Sequence, residues 1–389
     1  MRIGVIKPDW GISGGFESVV ERVEGDLRGA GHEVERVQVR VQELRRRPFG
    51  LDVPDSSWGR AGEWFTHMAM LEAFRNLDVT AFDVVVTTQP PSYAVYHPRQ
   101  LALFYHHLRA FYDLAEVWVA AGRAPAVEHQ VATSLLRAAE APDLARVTHF
   151  LAGSARVRDR LHEFGDPSRE IGLYHAPAPV VVDPDRDTYR DVLTVSRHEF
   201  TKRTELVVQA LAIADRPGVL VGDGGRLPFV RSVSARVAAS DPTALRDEDL
   251  WLNTGAASGP VDGPEHPRVR LAGRVDDAAL DGLYRSALCV VAPAYDEDYG
   301  LTVLEAMAHA RPVVVCRDGG GLTDLVVDGV NGLVVEPTGA AIAAAVERLA
   351  NDPELVRSLG AAGLETVRDR TEAAATAELL GALALVAEA

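Results

Sequence analysis

Positive charge is scarce in this 389-residue chain. Its 40 Lys and Arg face 56 Asp and Glu, for a formal net charge of −16. A protein that neutralises nucleic-acid phosphates needs a basic field, so the balance argues against that class of partner. Cysteine is nearly absent. Cys289 and Cys316 are the only two; both sit in apolar stretches without metal-ligand spacing, so they read as buried thiols in a reducing cytoplasm. No apolar run reaches the roughly 20 residues that span a bilayer. The start, Met1–Trp10, reads as a strand and has no signal-peptide core. Lysine is the rarest charge carrier: among the 40 basic residues only Lys7 and Lys202 are lysines, which makes each worth inspecting. With no lysine in the right place, the phosphate loop G-x-x-x-x-G-K-[ST] is missing too, and a nucleotide triphosphatase is unsupported.

What is present is a folded composition, 47% hydrophobic and 25% charged, with Gly 33 and Pro 22. The length implies two to three domains. Short apolar runs alternate with helical spacing from the start. Arg2–Ile6 reads as a strand, followed by a Gly/Pro/Asp loop and by Val19, Val20, Val23 and Leu27 on one helical face, then a strand at Glu33–Val39. Further strands are expected at Asp83–Thr87, Leu101–Tyr105 and Thr148–Ala152, with Ser154 capping a helix Ala155–Phe164. After the Pro- and Asp-dense stretch Ala176–Arg190 the alternation restarts, with strands at Val192–Val195, Val219–Gly222, Arg268–Ala272, Leu288–Ala292 and Pro312–Cys316. The polar segment Asp241–Pro267 reads as an excursion, and Glu347–Ala389 as two or three helices. The expected fold class is α/β. A first Rossmann-like domain covers 1–180 and a second 181–370, facing a central cleft, with a terminal helix at 371–389 returning to the first domain.

The chemistry concentrates in Pro293–Gly332. A strand leads into an acidic loop, Asp296-Glu297-Asp298, then Gly300, then a helix starting near Leu301. A helix start offers unpaired N–H groups and partial positive charge, and glycine lets an anion approach them. Glu297 precedes the turn and Glu305 lies one helical turn inside it. Carboxylates on either side of a phosphate site suit the hydroxyls of a nucleotide sugar. Spacing alone does not separate this from an ordinary charged loop before a helix.

The surrounding residues add a resemblance. Glu297–Ala308 (EDYGLTVLEAMA), Arg311–Val315, Gly320–Asp324 and Asp328–Leu333 resemble the retaining GT-B glycosyltransferases of family 4, whose signature is E-x7-E followed by a glycine loop. Ser196–Leu206 (SRHEFTKRTEL), Val221–Gly224, Leu271–Val275 and Gly14-Gly15-Phe16-Glu17 are similar to further loops of that family, and Tyr105–Asp113 (YHHLRAFYD) to a segment of its mannosyltransferase-like branch. The departures are Ala310 where the family has Gly and Asp324 where it has Glu; Val41–Thr80 and Asp241–Pro267 match poorly.

The resemblance implies a metal-independent sugar transferase without a cofactor. Glu297 would orient the transferred sugar. Arg197, Lys202 and the amides of Leu301 and Thr302 after Gly300 would stabilise the departing diphosphate. Glu305 would hold ribose hydroxyls, backbone around Gly273, Arg274 and Val275 the base, and Gly222 and Gly15 close approaches to the donor. Either His106 or His107 would lie near the reacting sugar; His106, nearer the strand end, is preferred as catalytic and His107 is assigned to the acceptor side. The triplet Asp296–Asp298 also spells D-x-D, a metal-binding signature of another fold, but Arg197, Lys202 and helix amides already meet the diphosphate charge. The expected partners are a nucleotide-diphosphate sugar and a soluble, natural-product-like acceptor, with no nucleic acid. Arg45-Arg46-Arg47-Pro48-Phe49 is the one candidate for membrane docking, disfavoured by the net charge. The alternatives are mannosyl-type transfer in polysaccharide or glycolipid assembly, a sugar-nucleotide epimerase of the same fold, and a non-catalytic sugar-nucleotide binder.

Overall fold

A computed structural model describes residues 1–11, 15–44, 47–178 and 189–389. Gly14, Arg45, Arg46 and most of the Pro- and Asp-dense stretch before Arg190 lie outside the described residues. The chain divides into two compact units, Met1–Ala176 with Glu372–Ala389, and Pro177–Thr371.

The first unit holds β1 (Arg2–Asp9), β2 (Glu33–Arg40), β3 (Val84–Thr87), β4 (Gln100–Phe104), β5 (His149–Ala152) and β6 (Ile171–Leu173). They form one parallel sheet in the order β2-β1-β3-β4-β5-β6. The second unit holds β7 (Val192–Val195), β8 (Gly218–Val221), β9 (Val269–Gly273), β10 (Cys289–Ala292), β11 (Val313–Cys316) and β12 (Gly332–Val335). Their order is β12-β11-β10-β7-β8-β9, again all parallel. The α/β fold class with two Rossmann-like units is thus present.

The strand sequences explain their positions. Every residue of β3, β4, β8 and β11 is buried, as continuous apolar runs in a sheet covered on both faces require. β2 (EVERVQVR) alternates charged with apolar residues and sits at an edge, where charge discourages further pairing. The helices that cover the sheets have caps the chain supplies locally. The Ser154 hydroxyl accepts the Val157 amide at 3.1 Å and starts Ala155–Phe164. Asp276, Thr338 and Asp352 cap Asp277–Ser286, Gly339–Asn351 and Pro353–Arg368 in the same way. Each such cap stabilises its helix by about 1 kcal/mol. The last helix, Glu372–Glu388, buries Leu379, Leu383 and Val386 within the first unit.

The structure adds elements that sequence patterning does not reveal. β6 and β12 are edge strands, only partly buried and each with a glycine, so neither shows the buried apolar run that marks the inner strands. Two helices of 21 residues, Asp55–Arg75 and Ala126–Arg146, lack a clean helical pattern in the sequence; the first is broken at Ala61 and the second carries Pro142 inside it. The segment Asp241–Pro267 is not a detached excursion. It contains the helix Asp247–Leu252, and Leu245, Leu250 and Ala257 belong to the core of the second unit. Gln209 donates to the Leu245 carbonyl at 2.8 Å and Arg226 to the Leu250 carbonyl at 3.1 Å, which pins it down. Cys289 and Cys316 are buried, and burial pushes both thiols up to about 12. Among the described residues no helix is long and apolar enough to cross a membrane.

Candidate active site

In an open parallel sheet a crevice forms where two neighbouring strands send their following connections in opposite directions, at the strands' carboxyl ends. In the second unit that point lies between β7 and β10: the chain runs from β7 outward to β8 and β9, then returns to β10 and runs out the other way to β11 and β12. The loop after β7 carries Arg197 and Lys202; the loop after β10 carries Glu297 and Gly300. The topology therefore puts four sequence-derived candidates on adjacent strand ends.

Contacts tie these loops together. Lys202 Nζ donates to Glu297 Oε2, and both side chains are mostly buried. The Tyr295 amide donates to the Thr201 carbonyl at 2.7 Å. The neighbouring Arg203 is fully buried and donates to the Pro293 carbonyl at 2.7 Å and to both oxygens of Asp318 at 2.6 and 2.8 Å. The loop after β11 closes the set, since the Glu297 amide donates to the Gly319 carbonyl at 3.0 Å and the Gly321 amide to the Glu297 carbonyl at 2.8 Å. Sequence reasoning singles out Lys202 and Glu297 separately but misses that they pair, and misses Arg203 and Asp318 as the clamp between their loops.

Gly300 stands before the helix Leu301–Ala308 with φ 105°, and no side chain caps that helix start. A methyl group on Gly300 would lie 2.6 Å from Leu322 Cδ2, so both the conformation and the space call for glycine. Thr302 donates its hydroxyl to the Val195 carbonyl at 3.2 Å, which fixes the helix start against the end of β7, two residues from the exposed Arg197. An uncapped helix start, with an ammonium and a guanidinium carried by the loop of the neighbouring strand end, is a place for an anion. Gly222 (φ 131°) directly follows β8. A side chain there would run into the Ser196 carbonyl, while its amide donates to the Gly273 carbonyl at 2.8 Å. Gly273, Arg274 and Val275 lie at the end of β9.

Glu305 is one turn inside the helix and largely buried, which pushes its carboxyl up against the opposing pull of the Tyr284 hydroxyl. That hydroxyl donates to Glu305 Oε2 at 2.6 Å, and the Tyr284 ring stacks on His309 at 4.9 Å. One carboxylate oxygen is held in place by Tyr284. Tyr284 carries no sequence signal of this role; it is a tyrosine near the end of an ordinary helix.

The remaining candidates lie in the first unit. Gly15 opens the helix Gly15–Gly29. His106 follows β4, is half-buried, and its Nδ1 contacts the His107 carbonyl at 2.7 Å. His107 requires a correction. It is 1% exposed, stacked on Tyr112 at 4.1 Å and walled by Phe104 and Phe164. Burial holds its imidazole down at about 3. It is a neutral core residue with no exposed face for an acceptor, because Phe104, Tyr112 and Phe164 enclose its ring, whereas His106 is half-buried. Lys7, the other lysine, is 2% exposed near the end of β1 and donates to Glu17 of the helix that follows. β1 lies beside β3 where the first sheet changes direction. Each lysine of the chain thus pairs with a glutamate at the switch point of its own sheet.

Residues 266–366 match the family model of glycosyl transferases group 1. A D-inositol 3-phosphate glycosyltransferase of Kribbella flavida is 38% identical over 147 residues, 34% of this chain and 34% of that protein. An alpha-D-kanosaminyltransferase of Streptomyces kanamyceticus is 30% identical over 183 residues, 43% of this chain and 44% of that protein. The chain therefore spans about a third of the length of the one and under half of the other. In fold it is similar, over nearly its whole length, to a sucrose-phosphate synthase from Thermosynechococcus elongatus, with a TM-score of 0.66 at 20% identity, covering 98% of this chain and 97% of that one.

Proposed function

We propose that this chain is a glycosyltransferase that moves a sugar from a nucleotide-diphosphate sugar to a hydroxyl of a small soluble acceptor of natural-product type, with retention of configuration, without a metal, in the cytoplasm. One observation carries the reading: the Lys202–Glu297 pair stands beside the uncapped helix start after Gly300, at the crevice between β7 and β10. The group 1 match, residues 266–366, covers the Glu297 and Gly300 side of this crevice.

In this reading the diphosphate lies on the amides of Leu301 and Thr302, with Arg197 and Lys202 as its cations. Lys202 and the helix amides are fixed before the substrate arrives, so they favour the charge that develops on the leaving group without reorganising. Glu297, held by Lys202, presents its other oxygen to sugar hydroxyls. Glu305, held by Tyr284, presents its free oxygen to the ribose, and backbone at Gly222 and Gly273 through Val275 accommodates the rest of the nucleoside. The bond from the sugar's anomeric carbon to the diphosphate oxygen breaks, and the acceptor oxygen bonds that carbon on the same face. The acceptor proton passes to the departing phosphate oxygen. The resemblance assigns His106 and Gly15 to the same reaction. Positioning and charge stabilisation supply the rate enhancement.

The name of the Kribbella relative specifies a small phosphorylated cyclitol, which supports a small-molecule acceptor. The likeness of Tyr105–Asp113 to mannosyltransferase-like proteins favours the second reading, transfer into a polysaccharide or glycolipid. The test is a panel of radiolabelled nucleotide sugars offered with small aglycones, oligosaccharides and lipid-linked acceptors, with EDTA present and absent. The expected product keeps the donor's anomeric configuration by NMR and forms equally with EDTA. Donor epimerisation without transfer, or transfer abolished by EDTA, would overturn the reading; label found only in lipid-linked product selects the second.

A further inference from the structure

Glu140 lies fully inside the first unit, on the helix Ala126–Arg146. A carboxylate without partners there would be costly, and this one collects three. His67 Nε2 and the Tyr93 hydroxyl donate to its Oε1, and the Tyr112 hydroxyl donates to its Oε2 at 2.7 Å. Burial pushes the Glu140 carboxyl up, but the attraction of His67 and the three hydrogen bonds outweigh it and hold the group below the ordinary carboxylate range. One branch of this cluster leads to His106.

Tyr112 belongs to the segment after β4 that carries His106 and His107. One face of the helix Ala126–Arg146 grips that segment. His129, Arg137 and Glu140, eight and three residues apart, lie on the same side of the helix. His129 Nε2 contacts the Ala110 carbonyl at 2.8 Å. Arg137 donates to the Phe111 carbonyl at 2.8 Å and to the Tyr112 carbonyl at 3.2 Å. Glu140 takes the Tyr112 hydroxyl. The Tyr112 ring stacks on His107 at 4.1 Å, and the His107 carbonyl contacts His106 Nδ1 at 2.7 Å.

That last contact fixes a proton. A carbonyl oxygen only accepts, so Nδ1 donates, and in the neutral ring Nε2 is then a bare acceptor. Such a nitrogen takes a hydrogen bond from a hydroxyl and has no proton for a phosphate. We propose that Glu140, acting through Tyr112 and the His107 peptide, is a positioning residue that holds His106 as its Nδ1–H tautomer, with Nε2 presented to a substrate hydroxyl. The substrate hydroxyl rests on the transferase reading; the tautomer and its anchor do not. The two tyrosines make the anchor testable. Each gives Glu140 one buried hydroxyl bond, so losing either costs a similar stability. Of the two, Tyr112 is the one stacked on His107.

The experiment is proton–nitrogen correlation NMR of the imidazole rings in the histidine-labelled full chain at about pH 8.5, above the ordinary histidine range. The His106 signals are identified by their loss in His106→Ala. The parent is expected to carry the His106 proton on Nδ1. Tyr112→Phe should populate both tautomers, whereas Tyr93→Phe should keep the proton on Nδ1. Glu140→Gln should act as Tyr112→Phe does and supplies the second test of the anchor if that variant does not fold. In steady-state sugar transfer, kcat should fall about tenfold in Tyr112→Phe with the donor KM unchanged, and stay within about twofold of the parent in Tyr93→Phe. A proton on Nε2 in the parent, an unmoved tautomer in Tyr112→Phe, or equal displacement by both tyrosine variants overturns the proposal. A moved tautomer with unchanged kcat overturns the contact with a substrate hydroxyl. A parent that transfers no sugar overturns the transferase reading, while the ring spectra still decide the tautomer and its anchor.

Discussion

Lys202 donates to Glu297 across 95 residues of chain, from the loop after β7 to the loop after β10. The pair holds both groups in a mostly buried position. Pairing offsets the cost of holding two charges largely out of water. The pair stands in the two loops that lead into the crevice, one of which runs on to the uncapped helix start after Gly300.

Lys202→Ala should therefore lower turnover by about 10²-fold or more, the scale of losing one charge-stabilising contact in a transition state. Steady-state sugar transfer measures it. If the fall is confined to the Michaelis constant for the donor, Lys202 serves ground-state binding and not the chemical step.

Glu305→Ala should weaken donor binding with a smaller effect on the rate at saturation. Tyr284→Phe should do the same more mildly, about tenfold, because it removes one charge-assisted hydrogen bond and leaves the carboxylate. The pH dependence has a definite sign. Burial raises the Glu305 carboxyl, so it is protonated at a higher pH than an exposed glutamate. Donor affinity should fall on acidification above the ordinary carboxylate range. Calorimetry with the donor across pH tests this, and an affinity flat in pH for the parent excludes it.

Gly300→Ala forces a side chain into a left-handed conformation and against Leu322. The cost should be about 1–3 kcal/mol of stability. Donor affinity should fall as well, because the helix start moves. Thermal unfolding and donor titration read the two effects separately; an unaltered affinity would mean the amides after Gly300 do not touch the donor.

His106 and His107 should part company. His106→Ala should lower turnover by about 10²-fold, as loss of a group near the reacting atoms does. His107→Phe should leave turnover near that of the parent. His107 has a folded value of about 3 against an ordinary 6.5, so it remains neutral while the unfolded chain takes up a proton. The stability it secures is complete above pH 6.5 and is lost as the pH falls towards 3. At pH 5 the loss should be about 2 kcal/mol. Melting curves at pH 7 and pH 5 should show a smaller acid shift for His107→Phe than for the parent.

The neighbouring histidines show where sequence reading stops. Nothing in Tyr105–Asp113 distinguishes one imidazole from the other, since both follow a strand. Only the packing of Tyr112, Phe104 and Phe164 around His107 assigns it to the core. The same holds for Tyr284, whose meaning comes from the helix turn that brings Glu305 within 2.6 Å of it.

The amino-acid order by itself determined the alternation of short apolar runs with helical faces, the cap at Ser154, and the glycine before the helix Leu301–Ala308. Each of these is set by neighbours a few residues away, through backbone sterics and local hydrogen bonding. Strand order, the switch point between β7 and β10, the Lys202–Glu297 pair and the inward packing of Asp241–Pro267 depend on which distant surfaces bury one another. That choice is made by the whole core at once, and the tertiary structure alone decided it.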